Sequence, residues 1–193
     1  MKRRGLLKFG FLAALTRVIS PLLLFGMPAI AQEKSVQDDS LFKPLIDGLR
    51  RTNKPVCMGV ANGLARRRGI VISYDLHLRN ASLNTDDAGV IATAINDVHK
   101  DTILRLNSFS VSYNPDIHHT GVKALLEAVP SHITELGLVG CNLDDQSGDS
   151  ITTFLRRSKN LAMVCVEGNG FSPTVKSAIR NATKHLSGCV TII

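Results

Sequence analysis

Few residues of this chain stand at spacings that could support chemistry, and the best candidates lie close together. Asp116, His118 and His119 carry the carboxylate and imidazole groups that bind divalent transition metals. A solvent-exposed loop accounts for the same three residues, and we predict no metal site. The sequence shows no Ser/His/Asp set, phosphate-binding loop or paired-carboxylate motif. We therefore predict a protein that is not an enzyme and that needs no cofactor.

The thiols give no sign of a metal or redox centre. Cys57, Cys141, Cys165 and Cys189 include no C-x-x-C pair, which is the spacing that many zinc sites and dithiol redox centres use. Disulfides would be possible in an exported protein, and free, mostly buried thiols are the alternative that we favour. We expect Cys141 to point into the core and Cys165 to point away from it.

The basic charge of the chain is concentrated at its N-terminus. The whole sequence has 23 basic and 16 acidic residues, a net charge of +7. Residues 1–31 hold five of the basic residues and none of the acidic ones, so the remainder has 18 basic residues against 16 acidic and a net charge of +2. The small net charge of the remainder therefore gives little support to the prediction of a nucleic-acid partner.

Residues 1–31 have the composition of an export signal. Their start is positive, apolar stretches follow, and Ala29-Ile30-Ala31 before Gln32 is a small-x-small cleavage site. The segment Arg3-Arg4-Gly5-Leu6-Leu7-Lys8 also resembles the twin-arginine export motif. The alternative is an uncleaved membrane anchor, although Arg17 interrupts apolar runs that are already shorter than the ~20 residues of a spanning helix. We predict a periplasmic or secreted protein, or else one anchored through residues 1–31.

The elements that must position any site follow a repeated pattern, L-x-L-x-x-(small or polar)-x-L. Its copies recur at a nearly regular period that lies within the range of known repeat proteins. Such a period indicates stacked units that share one core. The four sets are Leu76, Leu78, Ala81, Leu83; Leu104, Leu106, Phe109, Val111; Leu136, Leu138, Cys141, Leu143; and Val164, Val166, Asn169, Phe171.

Each unit reads as a strand followed by a helix. The first half alternates apolar residues with others, as a strand does, and the second half has apolar residues at helical spacing. In the last unit Ser172 is a candidate N-cap, with Pro173 at the first helical position. Residues 189–193 predict a fifth strand in which Ile192 is equivalent to Val164. Strand and helix in alternation predict a parallel sheet with helices on its outer side.

Two segments carry a resemblance to a known family. Residues 132–143 and 161–171, with Cys141 and Asn169 at the turn position, resemble the leucine-rich repeat family in its ribonuclease-inhibitor-like subtype. The resemblance covers residues 70–193 and implies an α/β solenoid that presents a binding surface. It also implies that the turn residue hydrogen-bonds backbone left open after the strand. The first two units depart from the pattern, with Ala81 and Phe109 at the turn.

These patterns divide the chain into three parts. Residues 1–31 are the export signal or anchor, 32–69 a linker and N-terminal cap, and 70–193 the repeat solenoid. In the cap, Ser40 is expected to begin a short amphipathic helix, and Val56 to Leu64 to form a degenerate repeat. We interpret Ser112 to His119 as an insertion of about four residues between the second strand and its helix.

Residues between the strand leucines define the predicted binding face. Side chains alternate along a strand, so these residues point away from the core. Basic residues concentrate on the first two units and acidic residues on the last two, a layout that could dock one protein. A solvated face whose charges satisfy one another is the alternative. The predicted partner-binding residues are Asp75, His77, Arg79, Arg105, Asn107, Tyr113, Glu135 and Glu167.

The function predicted from these features is an exported, non-catalytic protein-binding module of bacterial type. The concave sheet face and the insertion would dock a protein partner whose identity the sequence does not give. The alternatives are a host-directed effector, or a regulator of an enzyme of the GTPase-activator or nuclease-inhibitor type. We expect no nucleic-acid partner and no small-molecule substrate, and a membrane association only if residues 1–31 remain uncleaved.

Overall fold

Strands and helices alternate along most of this protein. The computed structural model describes residues 39–67, 72–100 and 103–193, so the predicted export signal lies outside the described residues. The elements are α1 (Asp39–Arg51), α2 (Pro55–Ala65), β1 (Ser73–His77), α3 (Thr85–Lys100), β2 (Arg105–Ser110), a 3-10 turn (Pro115–Ile117), α4 (His118–Ala128), β3 (Glu135–Gly137), α5 (Asp145–Arg157), β4 (Met163–Cys165), α6 (Pro173–Ala182) and β5 (Val190–Ile192).

The strands form one parallel sheet in chain order, β1-β2-β3-β4-β5. Neighbouring parallel strands need a crossover connection, and α3, α4, α5 and α6 each follow one strand and precede the next. Successive helices pack on one another, α3 on α4, α4 on α5 and α5 on α6. The prediction of an α/β fold with a parallel sheet is confirmed. No helix within the described ranges is long and apolar enough to cross a membrane.

Two rows of apolar side chains run across the strands and form the centre of the core. In the first row Leu76 lies opposite Phe109, Phe109 opposite Leu136, and Leu136 opposite Val164. All members of both rows are 0–1% exposed, which places each among the larger single contributions to stability, roughly 1.5–3 kcal/mol. The second row consists of Leu78, Val111, Leu138 and Val166.

The predicted register of the second unit is wrong. Phe109 lies opposite Leu76, and the pairing of β1 with β2 shifts between Tyr74 and Asp75. Along the first core row, the step from Leu76 to Phe109 is therefore longer than the two steps that follow it. The turn residue of the second unit is consequently Asn114, since it follows Phe109 at the distance that separates Cys141 from Leu136.

The extra residues of this unit precede its strand instead of following it. Asn114 stands four residues before the first residue of α4, and Cys141 and Asn169 stand four residues before α5 and α6. Residues 112–119 are thus no insertion, contrary to the prediction. The additional length lies in α3, which has 16 residues against 11 in α4, and in the connection that leads to β2.

The N-terminal helices α1 and α2 close the core next to α3. Phe42, Leu45, Ile46 and Leu49 of α1 are buried, and α1 begins at Asp39, one residue before the predicted start. The predicted degenerate repeat at Val56 to Leu64 is wrong, because this segment is helix α2. Proline at the start of α2 suits a helix, and its buried residues Cys57, Ala61 and Leu64 recur at helical spacing.

At the last strand the prediction misses by one position. Thr191, not Ile192, lies opposite Val164, and Ile192 lies opposite Cys165. The step from Val164 into β5 is thus shorter by one position than the period assumed for the prediction. Because side chains alternate along a strand, this single position turns Ile192 to the outer face of the sheet, where it is 43% exposed.

Candidate partner-binding groove

The face of the sheet opposite the core rows carries a cavity of about 200 Å³ that extends across β1 to β4. We call this cavity and its lining residues the sheet groove. Its rim includes two large exposed side chains, Tyr113 (46% exposed) and Met163 (40% exposed). The residues that line it include His77, Arg79, Ser108, Ser110, Ser112, Tyr113, Glu135, Gly137, Val139, Met163, Cys165 and Glu167.

Most of the predicted partner-binding residues meet in this groove. His77, Arg79, Tyr113, Glu135 and Glu167 line it. The acidic residues lie on the β3–β4 side and the basic residues on the β1 side, as the pattern of charges along the sequence predicted.

Three predicted residues, Asp75, Arg105 and Asn107, are not among the lining residues of the groove. Arg105 pairs with Ser73 at the start of β2, away from the groove. Asn107 falls at the shift in pairing, where its carbonyl oxygen accepts hydrogen bonds from the Thr134 backbone N–H and Oγ1 at 2.7 and 3.0 Å. The error at β2 follows from its mistaken register.

Sequence reasoning missed the serines that line the groove on β2 and just beyond it. Ser108, Ser110 and Ser112 alternate with the core residues Phe109 and Val111 and are nearly buried. That strict alternation of serine and apolar residues is the signal of a strand with one core face. Leu104 and Leu106, near the start of β2, are also apolar and buried. The sequence therefore allowed two registers for this strand, and the prediction used the wrong one.

A chain of hydrogen bonds joins three strands at one end of the groove. Ser108 Oγ donates to Glu135 Oε2 at 3.0 Å, and His77 Nε2 lies 2.7 Å from the same hydroxyl. A serine hydroxyl has one proton, so His77 must donate while Ser108 gives its own proton to the carboxylate. In a catalytic triad the histidine lies between the hydroxyl and the carboxylate, and this order is different. The chain of bonds fixes the position of Glu135.

The middle of the groove has a floor of small residues. Ser110 Oγ and Ser112 Oγ are 3.1 Å apart, and the backbone N–H of Val139 donates to Ser112 Oγ at 3.1 Å. A Cβ on Gly137 would lie 2.6 Å from Ser110 Oγ, so a larger residue there would displace this serine. The polar groups of the floor therefore satisfy one another.

Tyr113 lies at the rim in an unusual backbone conformation. Its φ is +61°, and the equivalent residues before the other turns, Asn80, Gly140 and Gly168, also have positive φ. Left-handed backbone is costly for a bulky side chain and is often found at functional positions. The Arg79 guanidinium lies 5.3 Å from the centre of the Tyr113 ring, within the range of a cation–π interaction. The ring also packs next to Gly140, where a Cβ would approach it to 3.0 Å.

Two asparagines hold the chain where it leaves the sheet. Asn114 Oδ1 accepts from the backbone N–H groups of Ala81 and Leu83 at 2.9 and 3.0 Å. Its Nδ2 donates to the carbonyl oxygens of Leu78 and Val111 at 2.8 and 2.7 Å. These bonds connect one strand–helix turn to the preceding one.

Asn169 repeats this arrangement two units later. Its Oδ1 accepts from Cys141 and Leu143 at 2.9 and 3.1 Å, and its Nδ2 donates to Leu138 and Val166 at 2.8 and 2.7 Å. Between the two asparagines, the Cys141 thiol donates to the Val111 carbonyl at 3.3 Å. At these three turns the side chains of Asn114, Cys141 and Asn169 therefore bond backbone that the strands leave open.

The carboxylates at the β3–β4 side of the groove are not neutralised by a neighbouring cation. Glu167 Oε2 is buried and has no hydrogen-bond partner among the described residues. No described cation lies within 4.0 Å of Glu135 or Glu167. Burial, followed by the charges of Glu167 and Glu135, raises the pKa of the Cys165 thiol, while Arg79 opposes this effect. Two acidic side chains without an ion-pair partner among the described residues therefore lie on this side of the groove.

A larger cavity, of about 330 Å³, lies on the helix side between α4 and α5. Three of its charged side chains have partners within the chain. Arg157 donates to the carbonyl oxygens of Leu126 and Val129 and lies 4.9 Å from the centre of the Phe154 ring. Lys123 pairs with Glu127 at 4.0 Å. Size alone would favour this cavity, but the sheet groove holds the unpartnered group, and we regard the groove as the candidate site.

Neither a metal nor a known family identifies the site. No group of three or more His, Cys, Asp or Glu side chains in the described part of the chain could hold a metal ion. The chain matches no protein-family model and no curated protein. Function therefore has to be inferred from the geometry of the groove.

Proposed function

We propose that this protein is an exported, non-catalytic protein-binding module, built as a leucine-rich repeat solenoid of the ribonuclease-inhibitor-like subtype, with the sheet groove as its docking surface. The observation that carries the proposal is the groove itself. It joins exposed Tyr113 and Met163 to the unpartnered carboxylate of Glu167 on one parallel sheet. Aromatic anchors and unsatisfied charges on a rigid scaffold are features of protein interfaces.

Three observations support the repeat architecture. The strands follow chain order, and four residues that precede the turns share positive φ. The bonds of Asn114 recur at Asn169 with the same atoms and closely similar distances. A repeat whose units bury their apolar faces on one another would produce each of these features.

A protein partner fits the groove better than a small molecule. The cavity volume of about 200 Å³ is below the ~300–1,000 Å³ of ordinary small-molecule pockets. A stable protein interface covers roughly 800 Å² on each partner, and the groove is flanked by further exposed apolar residues. Val190 and Ile192 on β5 are 52% and 43% exposed and extend the surface beside Met163.

The export part of the proposal rests on residues 1–31. The N-terminal sequence and the cell fraction of the mature protein test it directly. A start at Gln32 in a periplasmic or extracellular fraction supports export, and partners are then sought outside the cytoplasm. An intact Met1 in the membrane fraction would replace export with anchoring, and an intact Met1 in the cytoplasm would refute both.

Site-specific photo-crosslinking tests the docking surface. A benzophenone side chain replaces Met163 in the groove or, as the matched control, exposed Thr153 on the helix side. We expect an adduct of discrete mass, formed in the organism that makes the protein, from position 163 and none from position 153. Adducts from Thr153 alone would place docking on the helix side and overturn the proposal.

A further inference from the structure

The β3–β4 side of the sheet groove contains an acceptor that nothing in the described chain satisfies. Glu167 Oε2 is buried without a partner, although a buried carboxylate oxygen without a hydrogen bond is costly. Glu135 lies on the neighbouring strand, in the same cavity, and its Oε2 accepts the Ser108 hydroxyl. Two carboxylates, one of them fixed by a serine, thus line one small cavity.

Neither of the two arginines expected near these carboxylates forms an ion pair with them. Arg79 lines the same groove but lies against the Tyr113 ring at 5.3 Å. Arg105, which sequence reasoning placed on this face, is not among the lining residues. Within the described part of the chain, no cation therefore complements Glu135 or Glu167.

We infer that the groove accepts a basic side chain of the protein partner, an arginine, whose guanidinium bonds the Glu167 carboxylate, while Glu135 adds a second carboxylate at the other end of the cavity. This inference rests on the proposed docking function and specifies the chemistry of the partner. A cavity of about 200 Å³ holds one long side chain and no more of a partner's chain. Guanidinium offers five donors in a plane and can bond a carboxylate through two parallel hydrogen bonds, whereas lysine provides a single point charge.

The probe that tests this inference is N-acetyl-arginine amide, with N-acetyl-citrulline amide as its uncharged isostere. Each is titrated into the isotopically labelled protein in its naturally processed form while backbone amide resonances are followed by NMR. We expect saturable shifts at Gly137, Cys165 and Glu167 with the arginine probe, and binding at least tenfold weaker with the citrulline probe.

Two substitutions of equal charge change make the test specific. Glu167→Gln keeps the shape of the side chain and is expected to weaken binding of the arginine probe at least tenfold. Glu127→Gln, on the exposed helix side, is expected to leave it unchanged. Equal binding of the two probes, or arginine binding that survives Glu167→Gln, would overturn the inference. Glu167→Ala provides a second variant with the same expectation should Glu167→Gln fold poorly.

The failure of this inference can be told apart from the failure of the docking function. If the crosslink from position 163 forms but the arginine probe does not bind, the groove docks a protein through other chemistry. If neither occurs, the docking function fails as well.

Discussion

The second strand–helix unit (β2 through α4) and the fourth (β4 through α6) share one turn and differ in what faces the groove. Both hold the chain with an asparagine that makes four equivalent backbone hydrogen bonds. Asn114 is fully buried, whereas Asn169 is half-buried. On the groove side the second unit has small, mutually bonded serines, and the fourth has Met163, Cys165 and the unpartnered Glu167.

The difference separates what holds the sheet from what remains available to a partner. The serines of the second unit have their hydrogen bonds within the protein, so their role is to form a floor. In the fourth unit a buried carboxylate oxygen lacks a partner among the described residues and a large apolar side chain is exposed. Such groups lower the free energy of a complex when a partner satisfies or covers them. The scaffold is thus common to both units, whereas the proposed docking surface combines Tyr113 of the second unit with Met163 and Glu167 of the fourth.

The largest expected effect separates the two asparagines. Asn114→Ala removes four short hydrogen bonds to backbone groups in a site that water cannot enter, and we expect unfolding to become easier by roughly 3–5 kcal/mol. Asn169→Ala removes the same bonds where water can substitute, and we expect roughly 1–3 kcal/mol. Urea denaturation of both variants measures the difference. Equal losses would show that burial does not distinguish the two turns.

The residues before the turns provide the next comparison. Gly168 has φ +71° and Tyr113 has φ +61°. Gly168→Ala places a side chain in left-handed backbone and should cost about 1–2 kcal/mol of unfolding free energy. Tyr113→Gly removes the same kind of strain but also the contact with Arg79, so the net change in thermal stability should be smaller. Any net loss on Tyr113→Gly would mean that the ring contributes more than its backbone costs, and a loss larger than that of Gly168→Ala would contradict the expected order.

A smaller effect is expected from the serine that connects His77 with Glu135. Ser108→Ala removes two hydrogen bonds whose partners are exposed and can bond water. We expect a decrease in unfolding free energy of about 1 kcal/mol or less. A decrease comparable to that of Asn114→Ala would contradict the view that this bond chain positions Glu135 without holding the sheet.

The smallest effect concerns pH and the two histidines beside the start of β2. Burial lowers the pKa of His99, with the charge of His132 adding to it, and burial followed by Arg105 lowers the pKa of His132. The folded state therefore disfavours the protonated imidazoles. Their contribution is fully present above the unfolded pKa of about 6.5 and is lost as the pH falls below that value.

Thermal unfolding between pH 7.0 and 5.5 checks this expectation. The melting temperature should decrease across that range, and the decrease should shrink in the His99→Gln, His132→Gln double variant. A melting temperature that rises on acidification, or a decrease that the double variant retains in full, would show that these histidines do not govern the effect.

The sequence contained enough to predict the parallel sheet, the core residues of β1, β3 and β4, and the asparagine turn at Asn169. Ser172 as the N-cap of α6 is also confirmed, since its Oγ accepts from the Val175 backbone N–H. The register of β2 could not be predicted, because Leu104 and Leu106 fit the same apolar pattern as Phe109 and Val111. The deciding quantity was the length of α3, which depends on packing against α1 and α4.

This one register error carried through to the site. It placed Arg105 and Asn107 in the groove, hid the three serines, and concealed Asn114 as a turn residue. The sequence could not predict that Glu167 Oε2 lacks a hydrogen-bond partner. Whether this oxygen has a partner depends on where the neighbouring strands place every nearby donor. Local pattern thus predicts which residues face the groove once register is known, and it does not predict which of them lack partners.

The crosslinking yield from position 163 compared between Glu167→Gln and Ser108→Ala tests the central claim most directly, since one change removes the open acceptor and the other removes only its support on the neighbouring strand. If the β3–β4 side of the groove docks the partner, the adduct should decrease at least tenfold in Glu167→Gln and by no more than about twofold in Ser108→Ala, at equal protein levels. An undiminished adduct in Glu167→Gln would contradict the account.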